Sequence, residues 1–275
     1  MVWPDCEEIS TALNEKVTDC ELFKETSCSK LYLLKGEKEY ILKKSKNSTV
    51  NSDYRNHRCV YNIWQKYSNL GFTIPKPFFL AGDNKYYVME YIKGVKDLNS
   101  LLFEAGPDSI SVYNQAGSCL REYHRMVTEN ICDDRANLQQ HIIINKLLTG
   151  KDGKYFKNIF DNFTDDSYRV LFKDFTFNNI ALDADGRIFF IDFQKIDFWG
   201  PFYYDLARFI DTFKVFTFTR NPFFYISNTG LIEKTVNSFL DGYDAGLDKE
   251  LFEKMQKVHQ REHAFTKTYF KKPLH

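Results

Sequence analysis

Hydrophobic and polar positions alternate in short runs over the first ninety or so residues and recur at helical spacing over most of the rest. The segments "KLYLLKG" (30–36) and "KEYILKK" (38–44) read as two strands joined by a turn containing Gly36. Val60, Ile63, Trp64 and Tyr67 fall at helical spacing between Asp53 and Tyr67. "GFTIPKPFFL" reads as a loop running into a strand, and "KYYVMEYIKG" (85–94) as a strand that stops at a glycine. Beyond residue 94 the period changes. Val112, Ala116, Cys119, Leu120, Tyr123 and Val127 share one helix face behind "GPDS", with Ser109 or Ser111 as the cap. Leu251, Met255, Val258, Glu262, Phe265 and Tyr269 keep the spacing of a second long helix. Between the two, "RVLF" and "IAL" read as a β-pair, followed by "DADG" and "RIFFID". Asp185-Gly186 between apolar runs predicts a hairpin turn. The pattern predicts an α+β chain of two lobes. Residues 1–93 form an antiparallel sheet with one helix, a hinge lies near 90–94, and residues 94–275 are mainly helical around a β-hairpin.

Composition narrows the function classes. With 275 residues, 43% of them hydrophobic, the chain can bury a substantial core. Lys and Arg total 37 and so do Asp and Glu, so no global basic field points to nucleic acid. Six cysteines lie scattered without a CxxC pair or a histidine at metal-ligand spacing, as expected of free thiols in a reducing compartment. "MVWPDCEEIS" has neither the basic nor the apolar region of a signal peptide, and no run is long and apolar enough to span a bilayer. A cytoplasmic protein is expected.

The densest chemistry lies in "FKDFTFNNIALDADGRIFFIDFQ" (172–194), where Asp174, Asn179 and Asp192 bracket the hairpin. Mg²⁺ on a nucleotide triphosphate takes one or two carboxylate or amide oxygens from protein and the rest from phosphate and water. A hydroxyl accepting the phosphoryl group needs a positioned carboxylate to take its proton. Asp-x-x-x-x-Asn, then a hairpin, then Ile-Asp-Phe supplies these groups: Asp174 as base, Asn179 as metal ligand, and Asp192 as the main metal ligand. The bland alternative, Asp174 and Asn179 capping a turn, is open for that pair alone. Asp192 directly follows "IFFI", where an unpaired carboxylate would be costly and a metal would relieve the cost.

These residues resemble the protein-kinase-like superfamily, and most closely its aminoglycoside-phosphotransferase branch of small-molecule kinases. That branch carries His-Gly-Asp-x-x-x-x-Asn followed by Ile-Asp-Phe or Ile-Asp-Trp; here "FKDFTFNN" and "IDF" stand in register. "YYDLARFI" (203–210) resembles the family's Tyr-Asp-Leu-Ala helix, which implies that Asp205 braces the catalytic loop from behind. "EYILKKS" resembles the strand whose lysine contacts the nucleotide phosphates, implying Lys43, with Lys44 the fallback. "TSCSKLYLL" resembles the nucleotide-covering loop, implying Ser27 and Ser29 as hydrogen-bond donors to the phosphates or as plain turn residues. "YVMEYIKG" resembles the lobe linker, with Met89 as gatekeeper and Glu90 to Ile92 presenting backbone groups to adenine. "LREYHRM" (120–126) matches a helical phrase of the family, with His124 read as structural. The resemblance implies a bilobal kinase-like fold and an ATP- and Mg²⁺-dependent phosphotransferase.

Three positions depart from the family pattern. Phe172 replaces a bracing histidine, which puts the rigidity of the loop in question. Lys173 replaces the glycine before the base, where it either neutralises the transferred phosphoryl group or points to solvent. Asn56 falls where a glutamate normally pairs with the strand lysine, with Asp53 one turn earlier, an arrangement that admits a weakened kinase or a pseudokinase scaffold.

The acceptor is less legible. The aromatics of "FKVFTFTRNPFFYIS" (213–227) are core, a sugar platform or a lipid contact. Lys254, Lys257, Arg261, Lys267, Lys271 and Lys272 make the C-terminus basic, either as a solvated helix face or as a peripheral contact with an inner membrane surface. A basic tail argues against a polycationic acceptor. The expected acceptor is a sugar or glycolipid, such as a surface-polysaccharide or lipopolysaccharide-core residue, ahead of an aminoglycoside. Only a dozen residues separate Asp192 from "YYDLA", which leaves little room for the peptide-binding loop of a protein kinase.

Overall fold

The computed structural model describes residues 6–26, 28–46, 50–131, 153–193 and 198–270. The first lobe is a five-stranded antiparallel sheet in the order β1-β2-β3-β6-β5. Its strands are β1 (Asp19–Glu25), β2 (Ser29–Lys35), β3 (Glu39–Ser45), β5 (Pro77–Leu80) and β6 (Tyr86–Glu90). Alternation fixes their faces: Tyr32, Leu34, Tyr40, Leu42, Tyr86 and Val88 fill one cluster. Where one helix was expected, the described residues hold two. Helix α1 (Cys6–Leu13) lays Ile9 and Leu13 on that cluster, and α2 (Asn51–Trp64) buries Tyr54, His57, Val60 and Ile63.

The phrase "GFT" leaves this sheet. Strand β4 (Phe72–Thr73) pairs in parallel with β10 (Ile188–Phe190), whose other neighbour is β9 (Ile180–Leu182); β7 (Lys96–Asp97) closes that sheet. The Asp185-Gly186 hairpin forms between β9 and β10. Gly186 takes the left-handed φ of 77° that the turn requires, and Asp183 accepts from the Asp185 and Arg187 amides at 2.9 and 3.0 Å. The expected pairing of 169–172 with 180–182 is not the one formed. Strand β8 (Tyr168–Leu171) pairs instead with β11 (Phe198–Pro201).

Helices make the rest of the second lobe: α3 (Leu98–Ala105), α4 (Ile110–Ile131), α5 (Gly153–Phe160), α6 (Tyr203–Arg220), α7 (Pro222–Ser227), α8 (Thr229–Tyr243) and α9 (Lys249–Phe270). The predicted cap of α4 differs from the observed start: a 3₁₀ turn, Gly106–Ser109, leads into it, and the Ser109 hydroxyl donates back to Gly106 O at 2.6 Å. Helices α4 and α8 cross at glycines. A Cβ on Gly117 would sit 2.0 Å from Phe239 O, and one on Gly242 would sit 1.9 Å from Asn114 O. Only hydrogen fits there, so the backbones touch. Phe175, Phe190, Phe209, Phe213 and Phe239 belong to the largest core cluster, where Phe175 packs against Phe190 of the hairpin and against Phe209 and Phe239.

Candidate active site

Strand β3 carries Lys43 into the space between the lobes. Strand alternation turns Lys43 inward, 5% exposed, while Lys44 stays partly exposed on the other face. The Lys43 ammonium bonds the Asp192 carboxylate and lies 3.0 Å from Asp53 Oδ2. Burial disfavours its charge, but Tyr87, Asp192 and Asp53 outweigh that and hold the ammonium well above the ordinary lysine range. The ion pair missing from Asn56 is therefore present after all. Asp53, the acid one turn earlier on α2, reaches the lysine.

Two loops converge below it. In the first, Phe172 and Lys173 donate their backbone amides to Asp205 Oδ2 and Oδ1 at 2.7 and 2.9 Å. Lys173 adopts φ 60°, a conformation disfavoured for a side-chain-bearing residue and costing roughly 1–3 kcal/mol. The fully buried Asp205 on α6 offsets that cost by holding both amides. His124 on α4 closes the brace: its Nε2–H donates to Asp205 Oδ2 (3.0 Å) and its Nδ1 accepts from the Tyr243 hydroxyl (2.9 Å). His124 is thus buried behind the loop and away from the cleft face. Phe172 takes the place of a polar brace by packing, with ring centroids 5.2 Å from Tyr123 and 5.0 Å from Phe193.

In the second loop Asp192 also has a left-handed φ, 66°. The Ile191 amide donates to Asn179 O at 3.0 Å, which ties the two loops together at Asn179 itself and one residue before Asp192. Asn179, buried, donates Nδ2 to Asp174 O at 2.8 Å, which points its Oδ1 the other way. One amide oxygen and one carboxylate, both hard donors on tied loops, fit a Mg²⁺ ion that takes its remaining ligands from phosphate and water.

The Asp174 side chain is about one-third exposed, and its Oδ1 accepts from Arg208 Nη2 at 2.8 Å. Nothing in the sequence marked Arg208. It lies inside the "YYDLARFI" phrase, three residues past Asp205, and that spacing on one helix is the signal that could have found it. Two residues past Asp174 along the loop, Thr176–Asn178 line a cavity of about 590 Å³ together with residues of α6 and α9. Thr176, Asn178, Thr212, Thr219 and Gln260 give it neutral hydroxyl and amide groups, and Phe216 an apolar wall. Its one carboxylate, Asp211, already accepts from Gln256 (3.1 Å), His259 (2.8 Å) and Gln260 (3.2 Å). Lys214 is the lysine of its lining.

The other expected residues fall as follows. Ser27 lies outside the described residues. Ser29 begins β2, its hydroxyl 3.1 Å from that of Thr26. Met89 and Glu90 end β6, with the Glu90 amide donated to Lys76 O at 2.9 Å and Ile92 just beyond the strand. The aromatic stretch 213–227 divides: Phe213 is core, Phe216 lines the cavity, and Phe223 (82% exposed) and Ile226 project to solvent. Of the basic C-terminal residues, Lys254 pairs with Glu250 one turn earlier on the same helix, and Arg261 stacks over Tyr155 and Phe156 of α5. The side chains of Lys267, Lys271 and Lys272 lie outside the described residues. No helix among the described residues is long and apolar enough to cross a membrane.

Comparison with known proteins agrees with this fold. Several solved structures share the fold at low identity. The streptomycin–ATP–APH(2″)-IIa ternary complex is 17% identical, with a TM-score of 0.54 over 94% of this chain and 88% of that one. A choline/ethanolamine kinase family protein from Mesorhizobium loti is 11% identical, with a TM-score of 0.56 over 94% and 82%. Choline kinase LicA from Streptococcus pneumoniae is 16% identical, with a TM-score of 0.53 over 98% and 91%. No curated protein matches the chain. The sequence model of the phosphotransferase enzyme family (APH) matches residues 24–245, a span that holds Lys43, the braced loop, both candidate metal ligands and Arg208. The chain therefore belongs to the phosphotransferase enzyme family.

Proposed function

We propose that the protein moves the γ-phosphate of ATP to a hydroxyl group of a neutral polyol, a sugar or the sugar of a glycolipid. The observation that carries the choice of acceptor is that Asp211, the carboxylate of the cavity lining, already accepts three hydrogen bonds. A polycation such as an aminoglycoside needs free carboxylates, whereas this cavity offers hydroxyls and amides with a ring beside them. Residues 1–93 would serve as the nucleotide lobe and 94–275 as the acceptor lobe. The ATP in the streptomycin complex of a structural neighbour supports ATP as donor.

In this reading Lys43, aligned by Asp53, holds the α- and β-phosphates, with Ser27 and Ser29 covering them and Met89 to Ile92 bordering adenine. Because the Glu90 amide is already donated to Lys76 O, the backbone groups offered to adenine lie past it. Asn179 and Asp192 would hold Mg²⁺, which when bound neutralises charge on the bridging phosphates. Asp174 would accept the proton of the attacking hydroxyl, and Lys173, partly exposed beside it in the chain, would help neutralise the transferred group. The Lys43–Asp53 pair and the tied loops support a working enzyme over a pseudokinase scaffold. The C-terminal helix, which buries Phe252, Met255 and Val258 in the lobe, supports a role as part of the lobe over one as a membrane anchor.

Thermal shifts with ATP, with and without Mg²⁺, followed by ATP consumption against sugars, glycolipid cores, choline, aminoglycosides and a general protein substrate, test the proposal. Expected are a Mg²⁺-dependent shift, turnover with a polyol, and loss of turnover in Asp174→Ala. Turnover confined to aminoglycosides or to protein would refute the acceptor class. No Mg²⁺-dependent ATP binding would refute the kinase reading itself.

A further inference from the structure

Three side chains on one stripe of α6, at i, i+3 and i+6, address the proposed catalytic loop in turn. Asp205 holds the loop backbone. Arg208 holds the Asp174 carboxylate. Asp211 holds His259, whose Nε2 faces Arg208 Nη1 at 3.5 Å. With the His259 Nδ1–H donated to Asp211 (2.8 Å), Nε2 presents a lone pair to the guanidinium. His259 is buried and its ring packs edge-on to Tyr204, so it forms a fixed wall behind Arg208. The guanidinium is thereby gripped at both tips, Nη2 by Asp174 and Nη1 by His259.

From this geometry we infer that Arg208 is a positioning residue for phosphoryl transfer, one that fixes which oxygen of Asp174 acts as base. This inference rests on the reading of Asp174 as base. Arg208 occupies Oδ1, and Oδ2 takes no donor among the described residues. The cation that bonds this carboxylate is supplied by α6, through Arg208 Nη2 on Oδ1 at 2.8 Å. The step then balances as follows. The acceptor hydroxyl gives its proton to Asp174 Oδ2, its oxygen forms a bond to the γ-phosphorus, and the bond from phosphorus to the bridging oxygen breaks with its electrons left on ADP. Since Asp211 and His259 also line the cavity, the same stripe joins the acceptor's wall to the base.

A lysine cannot reproduce this arrangement. Its single ammonium meets one partner at a time, whereas the fork meets two in one plane. The experiment uses the full chain and Mg²⁺·ATP, with hydrolysis (water as the acceptor) as the readout. Arg208→Met is expected to lower kcat about 30- to 100-fold with KM for ATP within about twofold, as misplacement of a catalytic group does. Arg208→Lys should recover only part of that loss. Guanidinium chloride at tens of millimolar should restore turnover in Arg208→Ala and leave wild type unchanged. His259→Gln, which keeps a hydrogen-bonding group behind the fork, should lose less than Arg208→Met.

A structural role alone would lower the melting temperature or raise KM and would show no guanidinium rescue. Arg208→Met with wild-type kcat, or with a loss that follows the unfolded fraction, would overturn the inference while Asp174→Asn is inactive. Should Asp174→Asn keep full activity, or wild type show no Mg²⁺-dependent turnover, the base reading falls and the inference with it.

Discussion

Replacement of Phe172 by alanine tests whether aromatic packing does the work that a polar brace would otherwise do at the proposed catalytic loop. The ring is fully buried and touches four others, with centroids 5.2 Å from Tyr123, 5.5 Å from Phe175, 6.0 Å from Phe190 and 5.0 Å from Phe193. Phe→Ala in a core typically costs about 3–5 kcal/mol. Each ring pair adds about 0.5–1.5 kcal/mol beyond area, though the four share one site and do not sum. A loss of about 4–5 kcal/mol is expected by urea or guanidinium unfolding, a large share of the 5–15 kcal/mol usual for a whole domain. The same cluster supports both loops, because Phe172 precedes Lys173-Asp174 and Phe193 follows Asp192. In protein shown to be folded, kcat should therefore fall about 10- to 100-fold, with a smaller change in KM for ATP. Phe172→Leu, which keeps most of the volume, should cost no more than about 1.5 kcal/mol. Phe172→His is the sharper arm, since it installs the residue usual in the resembling family. Here it would bury an imidazole among four rings and should be less stable than the leucine variant. Wild-type stability in Phe172→His, or a loss below about 1.5 kcal/mol in Phe172→Ala, would refute the packing account.

Asp205→Ala would strand the Phe172 and Lys173 amides and His124 Nε2 together, a loss of at least about 3 kcal/mol at about 1–3 per buried unpaired group; denaturant unfolding and kcat should both report it. Gly117→Ala or Gly242→Ala forces α4 and α8 apart and should cost about 1–3 kcal/mol or more in thermal unfolding, with the double variant costing less than the sum because both act on one crossing. His57 donates Nε2–H to Pro75 O, and burial pushes its pKa down from the ordinary 6.5 to about 4. The unfolded chain then binds a proton that the folded one refuses, so stability is full above about pH 6.5 and falls as pH drops towards 4, by on the order of 3 kcal/mol. His57→Gln should flatten that part of the stability–pH curve. Asp53→Asn removes one carboxylate from Lys43 and should raise KM for ATP several-fold with little change in melting temperature, read by ATP titration.

The sequence by itself determined the elements whose signals are local. Alternation places Tyr40 and Leu42 on one face of β3 and Lys43 on the other, and that period needs no knowledge of the partner strand. The Asp185-Gly186 turn is written in two residues that tolerate a left-handed backbone. The spacing of Asp174, Asn179 and Asp192 survives because a loop, a short hairpin and a second loop form one continuous segment. What failed was whatever depended on a distant partner. Strand β8 pairs with 198–201 and not with its near neighbour. Asn56 and Asp53 could not be ranked against Lys43 until the pitch of α2 against the sheet was set. Tertiary structure alone brought Arg208 onto Asp174 and His259 behind it, across 34 and 51 residues of chain. It alone also spent the Asp211 carboxylate on three donors, two glutamines and a histidine from α9. Such contacts follow from how helices pack, here through the Gly117–Gly242 crossing and the phenylalanine core. Packing complementarity leaves no period in a one-dimensional sequence.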